Sequence, residues 1–200
     1  MSVDLHLHTT ASDGSLTPRQ MVEKAKSLGY DAIAITDHDT VEGLNDALQW
    51  GKKIDLEVIS GIEINTELNG YEVHILGYFI NYNYRPLLET LDYYRKLRKE
   101  RVEKIIKKLK GMNINIYTSR VMELAGEGSV GRTHIARAMK EKGYVQTNEE
   151  AFNKYIGIGK PAYVDRERLT PGKSISIIEE SGGLPVLAHP GLVGSDDIVK

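Results

Sequence analysis

The chain has 200 residues, 40% of them hydrophobic and 27% charged, with a formal net charge of −2 and no cysteine. That composition suits a soluble globular domain with room for an inserted subdomain. It excludes disulfides and thiolate sites, offers no basic surplus for gripping long nucleic acid, and contains no apolar run near the ~20 residues that cross a bilayer. Any transition metal must therefore be held by nitrogen and oxygen. The N-terminus lacks a basic stretch followed by an apolar one, so the cytoplasm is the expected compartment.

The first predicted strand sets Val3, Leu5 and Leu7 on one face and Asp4, His6 and His8 on the other. Two imidazoles at the end of a strand can grip one metal ion, although surface histidines on a half-buried strand give the same pattern. Thr17-Pro18-Arg19-Gln20 reads as a helix start, with Thr17 as cap, Pro18 in the first turn and Gln20 completing a capping box. Ala32 to Ile35 reads as a strand covered on both faces, ending in Thr36-Asp37-His38-Asp39. Thr40 is expected to cap a second helix carrying Leu44, Ala47 and Leu48. A third strand, Leu56 to Ile59, leads to Ser60-Gly61-Ile62-Glu63, and a fourth, Tyr71 to Tyr78, carries His74. The alternation predicts a parallel sheet with helices outside, either open or closed into a barrel. His8, His38 and Glu63 fall where strands end, the active-site face of both architectures.

From Pro86 to Lys110 the pattern becomes a long basic amphipathic helix ended by Gly111. Arg95, Lys96, Arg98, Lys99, Arg101, Lys104, Lys107 and Lys108 crowd its polar surface, which on its own reads as a solvated face. Shorter helices are expected over 119–125, 134–142 and 149–156, so residues 82–170 read as a helical insertion between segments 1–81 and 171–200. Thr170-Pro171 opens another helix, and the strand Leu184 to Ala188 delivers His189. Gly126 to Gly131 matches G-x-G-x-x-G but follows a helical pattern; the dinucleotide fingerprint needs a strand there, so it is set aside.

Five of the six histidines (His6, His8, His38, His74, His189) thus collect at or near strands, with Asp13 and Glu63 close by. Seven nitrogen and oxygen donors exceed the needs of one tetrahedral ion. A carboxylate such as Glu63 can bridge two ions ~3.5–4 Å apart, an arrangement used in phosphate-ester hydrolysis.

His6-Leu7-His8, Ser12-Asp13-Gly14, Thr36-Asp37-His38, Gly61-Ile62-Glu63, His74 and Ala188-His189-Pro190 together resemble, in order, the signatures of the PHP (polymerase and histidinol phosphatase) superfamily. The resemblance implies an α/β fold, a distorted (β/α)7 barrel here incomplete at its C-terminal end. It also implies two or three divalent ions, Mn2+ first with Fe2+ or Zn2+ as alternatives. His6 and His8 would bind the first ion, Glu63 would bridge to a second held by His74 and His189, and Asp13 and His38 would hold a third. The insertion with Gly131-Arg132-Thr133-His134 resembles the branch that dephosphorylates nucleoside 3′,5′-bisphosphates and trims short 5′-phosphorylated RNA. In that branch the insertion is a lid over the metals. Arg98, Arg101 and Arg132 would grip substrate phosphate, and His134 would contact phosphate or act as general acid beside a metal-activated water. Capping or core packing is the other reading of His134.

Family members close with an Asp-x-His that Ser195-Asp196-Asp197 does not reproduce, so weak or missing hydrolysis and self-association through an open barrel edge are expected. A histidinol-phosphate-type phosphatase and an inactive metal- or nucleotide-binding module stand as the alternatives.

Overall fold

The computed structural model describes residues 2–126 and 128–200. The fold is mixed α/β, with a five-stranded sheet in the order β1-β2-β3-β4-β5. The chain forms two compact units, one made of Met1–Asp92 and Arg168–Lys200, the other of Tyr93–Glu167.

The first unit holds the sheet. Strands β1 (Val3–Leu7), β2 (Ala32–Ile35) and β3 (Glu57–Leu68) pair in parallel. Strand β4 (Tyr71–Tyr78) returns antiparallel to β3, and β5 (Leu184–Leu187) pairs antiparallel to β4. The wholly parallel sheet expected from the βαβ alternation therefore holds only as far as β3. The Asn69-Gly70 turn, with both residues at positive φ, lets β3 and β4 form a hairpin instead of a crossover.

Helix α1 (Pro18–Ser27) begins with the expected capping box: the Thr17 side chain accepts from the Gln20 N–H, and the Gln20 side chain accepts from the Thr17 N–H. Helix α2 (Leu44–Ile54) starts later than expected, with Gly43 at its N-cap and no side-chain cap. Thr40 instead accepts from the Glu42 N–H, using its hydroxyl in the loop before the helix. Helices α1 and α2 pack on each other, α2 lies against β3, and Val22, Ile33, Ile35, Leu44 and Ile62 are fully buried beneath them. Helix α7 (Pro171–Glu180) covers β3, β4 and β5 and drives Ile178 against Gly77, where a Cβ would meet its carbons at 3.0 Å.

The edge strands differ from the simple alternation read in the sequence. Val3 and Leu5 of β1 are exposed, as are Leu184 and Val186 of β5. Each of these strands has a sheet neighbour on one side only, so its apolar face is less covered than those of the central strands.

The second unit is helical. It takes up most of α3 (Arg85–Gly111), followed by α4 (Thr118–Ala125), α5 (Arg132–Glu141), α6 (Asn148–Ala151) and a π-helical turn over Phe152–Ile156. Its own core gathers Ile105, Leu109, Val121, Ile135, Met139 and Ile156, all fully buried. The helical spacing of α3 places Val102, Ile105 and Leu109 inward and leaves its lysines outward. The glycine-rich segment follows helix α4, and its Glu127 lies outside the described residues. The short helix α8 (Asp196–Val199) ends the first unit. Among the described residues no helix is long and apolar enough to cross a membrane.

Candidate metal centre

Glu63 lies in the middle of β3 rather than beyond a strand end, because β3 runs on through Gly61 to Leu68. Glycine is needed there: a Cβ on Gly61 would sit 2.8 Å from the Ile35 carbonyl oxygen. The carboxylate of Glu63 is buried, with 1% of the side chain exposed. Five imidazoles surround it. Oε1 lies 2.9 Å from His74 Nδ1 and 2.9 Å from His189 Nε2. Oε2 lies 3.0 Å from both His6 Nε2 and His8 Nε2, and 3.2 Å from His38 Nδ1. The two oxygens thus face different sets of histidines.

The imidazoles come from four parts of the fold. His6 lies within β1 and His8 follows its last residue, Leu7, while His74 points from β4. His38 follows β2 in a segment that continues the parallel pairing: the Glu63 N–H donates to the Asp37 carbonyl and the Asp39 N–H to the Glu63 carbonyl. Asp39 adopts φ 52° and accepts from the Asn65 N–H and side-chain amide, and that amide reaches 3.4 Å from His38 Nδ1. His189, just after β5, sits at φ 27°, a strained conformation that aims its ring at Glu63.

Asp13 is the outermost of the seven predicted ligands, with 58% of its side chain exposed, 3.4 Å from His8 Nδ1 and 4.0 Å from His38 Nε2. Its loop is anchored from within. The buried carboxylate of Asp37 accepts from the Thr9 N–H (2.6 Å), the Thr9 hydroxyl (2.7 Å) and the Ser12 hydroxyl (2.6 Å). Gly14 closes the same loop so tightly that a Cβ would meet the His8 carbonyl oxygen at 2.3 Å.

The electrostatics follow from this crowding. Burial alone would raise the Glu63 pKa, but hydrogen bonds from His74 and His8, the His38 charge and the His6 hydrogen bond hold it well below the carboxylate range. Burial opposes the His74 charge, yet hydrogen bonds to Glu63 and Glu72 raise it to about 9. His8 is likewise raised: burial lowers it, and Glu63, Asp13 and Asp37 outweigh burial. His38 moves down, through burial and then the His8 charge, against the pull of Glu63.

Donors bound at 2.0–2.2 Å to one ion lie about 3–3.5 Å apart, so these nitrogen–oxygen separations suit shared coordination. Two trios bring one ligand atom from each residue within 4.8 Å of the others: His6, Glu63 and His189, and His8, His38 and Glu63. Imidazole and carboxylate donors suit zinc, iron or manganese. The five residues of these trios are among the seven that the sequence pointed to, and His74 and Asp13 belong to neither trio. The sequence did not single out Asp37, Asp39, Asn65 or Glu72 as the supports behind them. Glu72 lies 3.3 Å from His74 Nε2, and two carboxylates flanking one strand histidine is the pattern that would have found it.

The four residues predicted to bind substrate lie in the helical unit. Arg101 is buried; its Nε donates to the Val164 carbonyl at 2.7 Å, and its guanidinium lies 5.4 Å from the Tyr163 ring. Arg132 stands 5.7 Å from that ring and 5.3 Å from Phe152, and donates to the Ile156 carbonyl at 3.4 Å. Arg98 reaches Gly131, its Nη1 4.0 Å from where a Cβ would stand. Burial and the charges of Arg132 and Arg98 push Arg101 down to about 10. His134 is buried, and its Nδ1 accepts the Gly131 N–H at 3.0 Å, capping α5. In the neutral ring that bond leaves the proton on Nε2.

A buried carboxylate ringed by five histidines, on or just beyond the strands of a mixed α/β sheet, forms a candidate metal centre. The family model described as "PHP domain" matches residues 4–184, and the chain belongs to that family. It is 35% identical over 188 residues to a 5′-3′ exoribonuclease of Haemophilus influenzae, spanning 94% of this chain and 68% of that protein. It is 37% identical over 190 residues to the 5′-3′ exoribonuclease Rnm of Escherichia coli, covering 94% and 65% of the two chains. A 3′,5′-nucleoside bisphosphate phosphatase of Chromobacterium violaceum is 30% identical over 191 residues, with 95% and 67% covered. The chain therefore spans only about two thirds of the length of these hydrolases. Among solved structures, an amidohydrolase from Chromobacterium violaceum superposes with a TM-score of 0.85 at 30% identity, over 96% of this chain and 68% of the other. A candidate metal-dependent phosphoesterase from Bifidobacterium adolescentis superposes with a TM-score of 0.88 at 28% identity, over 100% and 72%.

Proposed function

We propose that this chain is a metal-dependent phosphoesterase acting on phosphorylated nucleotides, either nucleoside 3′,5′-bisphosphates or short 5′-phosphorylated RNA. The observation that carries this reading is the division of the Glu63 carboxylate, with Oε1 facing His74 and His189 and Oε2 facing His6, His8 and His38. A carboxylate with two separate histidine sets is suited to bridging. Following the family resemblance, we assign His6 and His8 with Oε2 to one ion and His74 and His189 with Oε1 to another, with Asp13 and His38 serving a third; the two compact trios instead place His6 beside His189 and His8 beside His38. Divalent ions held there would supply Lewis acidity toward a phosphate ester and acidify water.

The protein's own groups do the rest. The surrounding histidines lower the Glu63 pKa and so favour its ionised form, which keeps its two oxygens available to the site. The residue 93–167 unit is the substrate-holding module in this reading. Arg98, Arg101 and Arg132 gather three cations around Tyr163 and Gly131, and the buried Nη2 of Arg101 has no hydrogen-bond partner among the described residues. A phosphate oxygen would satisfy it. His134, whose Nδ1 accepts the Gly131 N–H and whose ring is therefore neutral, serves in this reading as an Nε2–H hydrogen-bond donor to phosphate and not as a general acid.

The test is a metal titration followed by a turnover panel. Wild-type protein loaded with Mn2+ should retain ions by mass spectrometry and release phosphate or nucleotide from at least one of the two substrate types. Glu63→Gln should lose both, and His6→Ala/His8→Ala should lose the ion assigned to those histidines. Unchanged metal stoichiometry in these variants, or turnover confined to histidinol phosphate, would overturn the proposal.

A further inference from the structure

Beyond the arginine cluster, α3 carries a second cationic feature to which the substrate assignment gives no role. Lys104, Lys107 and Lys108 line an open cavity of about 500 Å3 together with Tyr163, Val164 and Asp165. Lys108 donates to the Tyr163 carbonyl at 2.6 Å, which fixes that wall of the cavity to the helix. Asp165, the single acid in the lining, accepts from the Tyr163 hydroxyl at 3.1 Å. The side chains of Lys104 and Lys107 are exposed and form no ion pair among the described residues. Three lysines against one engaged carboxylate leave a net positive cavity.

Its position gives the charge a direction. Arg101, Lys104 and Lys108 follow one another at helical spacings of three and four residues, so they form a single ridge about 10 Å long. Tyr163 joins the two ends: its ring lies 5.4 Å from Arg101 and 5.7 Å from Arg132, while its carbonyl meets Lys108. A cationic line that continues past the arginines, bordered by an aromatic ring, is the physical form of a single-strand binding track. Lysine ammonium groups follow the backbone without reading sequence, and an aromatic face accepts any base. A mononucleotide held at the arginines has no need of it.

Resting on the phosphoesterase reading, we propose that Lys104, Lys107 and Lys108 form a track for the phosphodiester backbone of a single-stranded oligonucleotide whose terminal phosphate is held by the arginines. The track makes oligonucleotides, not mononucleotides alone, ligands of this unit.

The experiment measures binding by full-length protein in EDTA, so that turnover does not enter. The probes are 5′-phosphorylated, 3′-fluorescent RNA and DNA oligonucleotides of two to eight nucleotides, followed by anisotropy across a salt series. Affinity should rise with length. The salt slope should fall by roughly 0.7 for each lysine removed, about 1.4 in Lys104→Ala/Lys107→Ala. Lys104→Arg/Lys107→Arg should keep the wild-type slope, which separates lost charge from a damaged fold. Similar behaviour of RNA and DNA would mark a backbone track, and an RNA preference would add contacts to the 2′-hydroxyl. Flat affinity with length, or an unchanged slope in the alanine variant, overturns the proposal. Turnover of a nucleoside bisphosphate alongside a flat length series would spare the phosphoesterase reading and remove the track. Length-dependent binding by a protein without turnover would do the reverse.

Discussion

His74 Nδ1 and Glu63 Oε1 face each other 2.9 Å apart across the β3–β4 hairpin. The pair makes stability depend on pH in a defined direction. With His74 raised to about 9 from 6.5, its contribution is complete below pH 6.5 and is lost as pH climbs through 9. Glu63, lowered from 4.5, contributes above that value and loses its part only in strong acid. EDTA-treated protein should therefore be less stable at pH 10 than at pH 6.5, by an amount on the order of 2 kcal/mol from His74. Urea melts at the two pH values would check this, and Glu63→Gln should flatten the difference.

The same shift links metal uptake to protons. An imidazole that carries a proton at pH 7.5 must give it up before it can coordinate. Loading with Mn2+ at that pH should release protons, and apparent affinity should keep rising up to about pH 9. Calorimetry in two buffers of different ionisation enthalpy reads the proton count directly. Equal heats in both would show that His74 takes no part.

Glu72, 3.3 Å from His74 Nε2, orients the ring from behind. Partners of this kind are worth about ten- to a hundredfold in metal affinity. Glu72→Gln, able to keep one hydrogen bond, should weaken metal binding less than Glu72→Ala. Identical dissociation constants for wild type and both variants would remove Glu72 from the site.

Asp37 anchors three donors while buried, and its removal strands all of them. Asp37→Ala should cost about 3 kcal/mol, given roughly 1–3 kcal/mol for each buried unpaired group and incomplete additivity. The variant should also loosen Asp13 and His8, so thermal melting and metal titration should both change. Asp37→Asn should recover part of each.

Arg132 and Arg101 bear the test of the helical unit. On the proposed phosphate-binding role, Arg132→Ala or Arg101→Ala should lose roughly 1.5–3 kcal/mol, about ten- to a hundredfold in kcat/KM, with metal content intact. Arg101→Ala also removes the bond to Val164, so its stability must be measured beside its kinetics.

Much of this was legible because local rules decide it. Thr17, Pro18 and Gln20 specify the start of α1 by themselves, and the long stripe of α3 declares its buried side. Among the seven candidate ligands, the five histidines stood out because they recur at or near strands, whereas Asp13 became a candidate ligand only through the resemblance of its Ser12-Asp13-Gly14 segment. What stayed hidden depends on pairing. Whether β3 stopped at Ile59 or ran to Leu68 turned on its hairpin with β4, which the Asn69-Gly70 turn directs but the apolar pattern does not. Thr40 looked like a cap, yet the helix waited for Gly43. Asp37 is tied to Thr9 and Ser12, residues 28 and 25 positions away, and no local pattern marks such a bond.

The centre draws its first imidazole from residue 6 and its last from residue 189, and that ordering has a consequence for how the protein is made. Once β4 has left the ribosome, His6, His8, His38, Glu63 and His74 are all available. His189 arrives only after the whole residue 93–167 unit has been synthesised. That unit is built from helices with mostly local contacts, which form quickly and shorten the effective loop between His74 and β5. The last histidine therefore acts as a clasp. A growing chain holds an incomplete ring of donors around Glu63 for most of its synthesis, and closure waits on β5 pairing with β4.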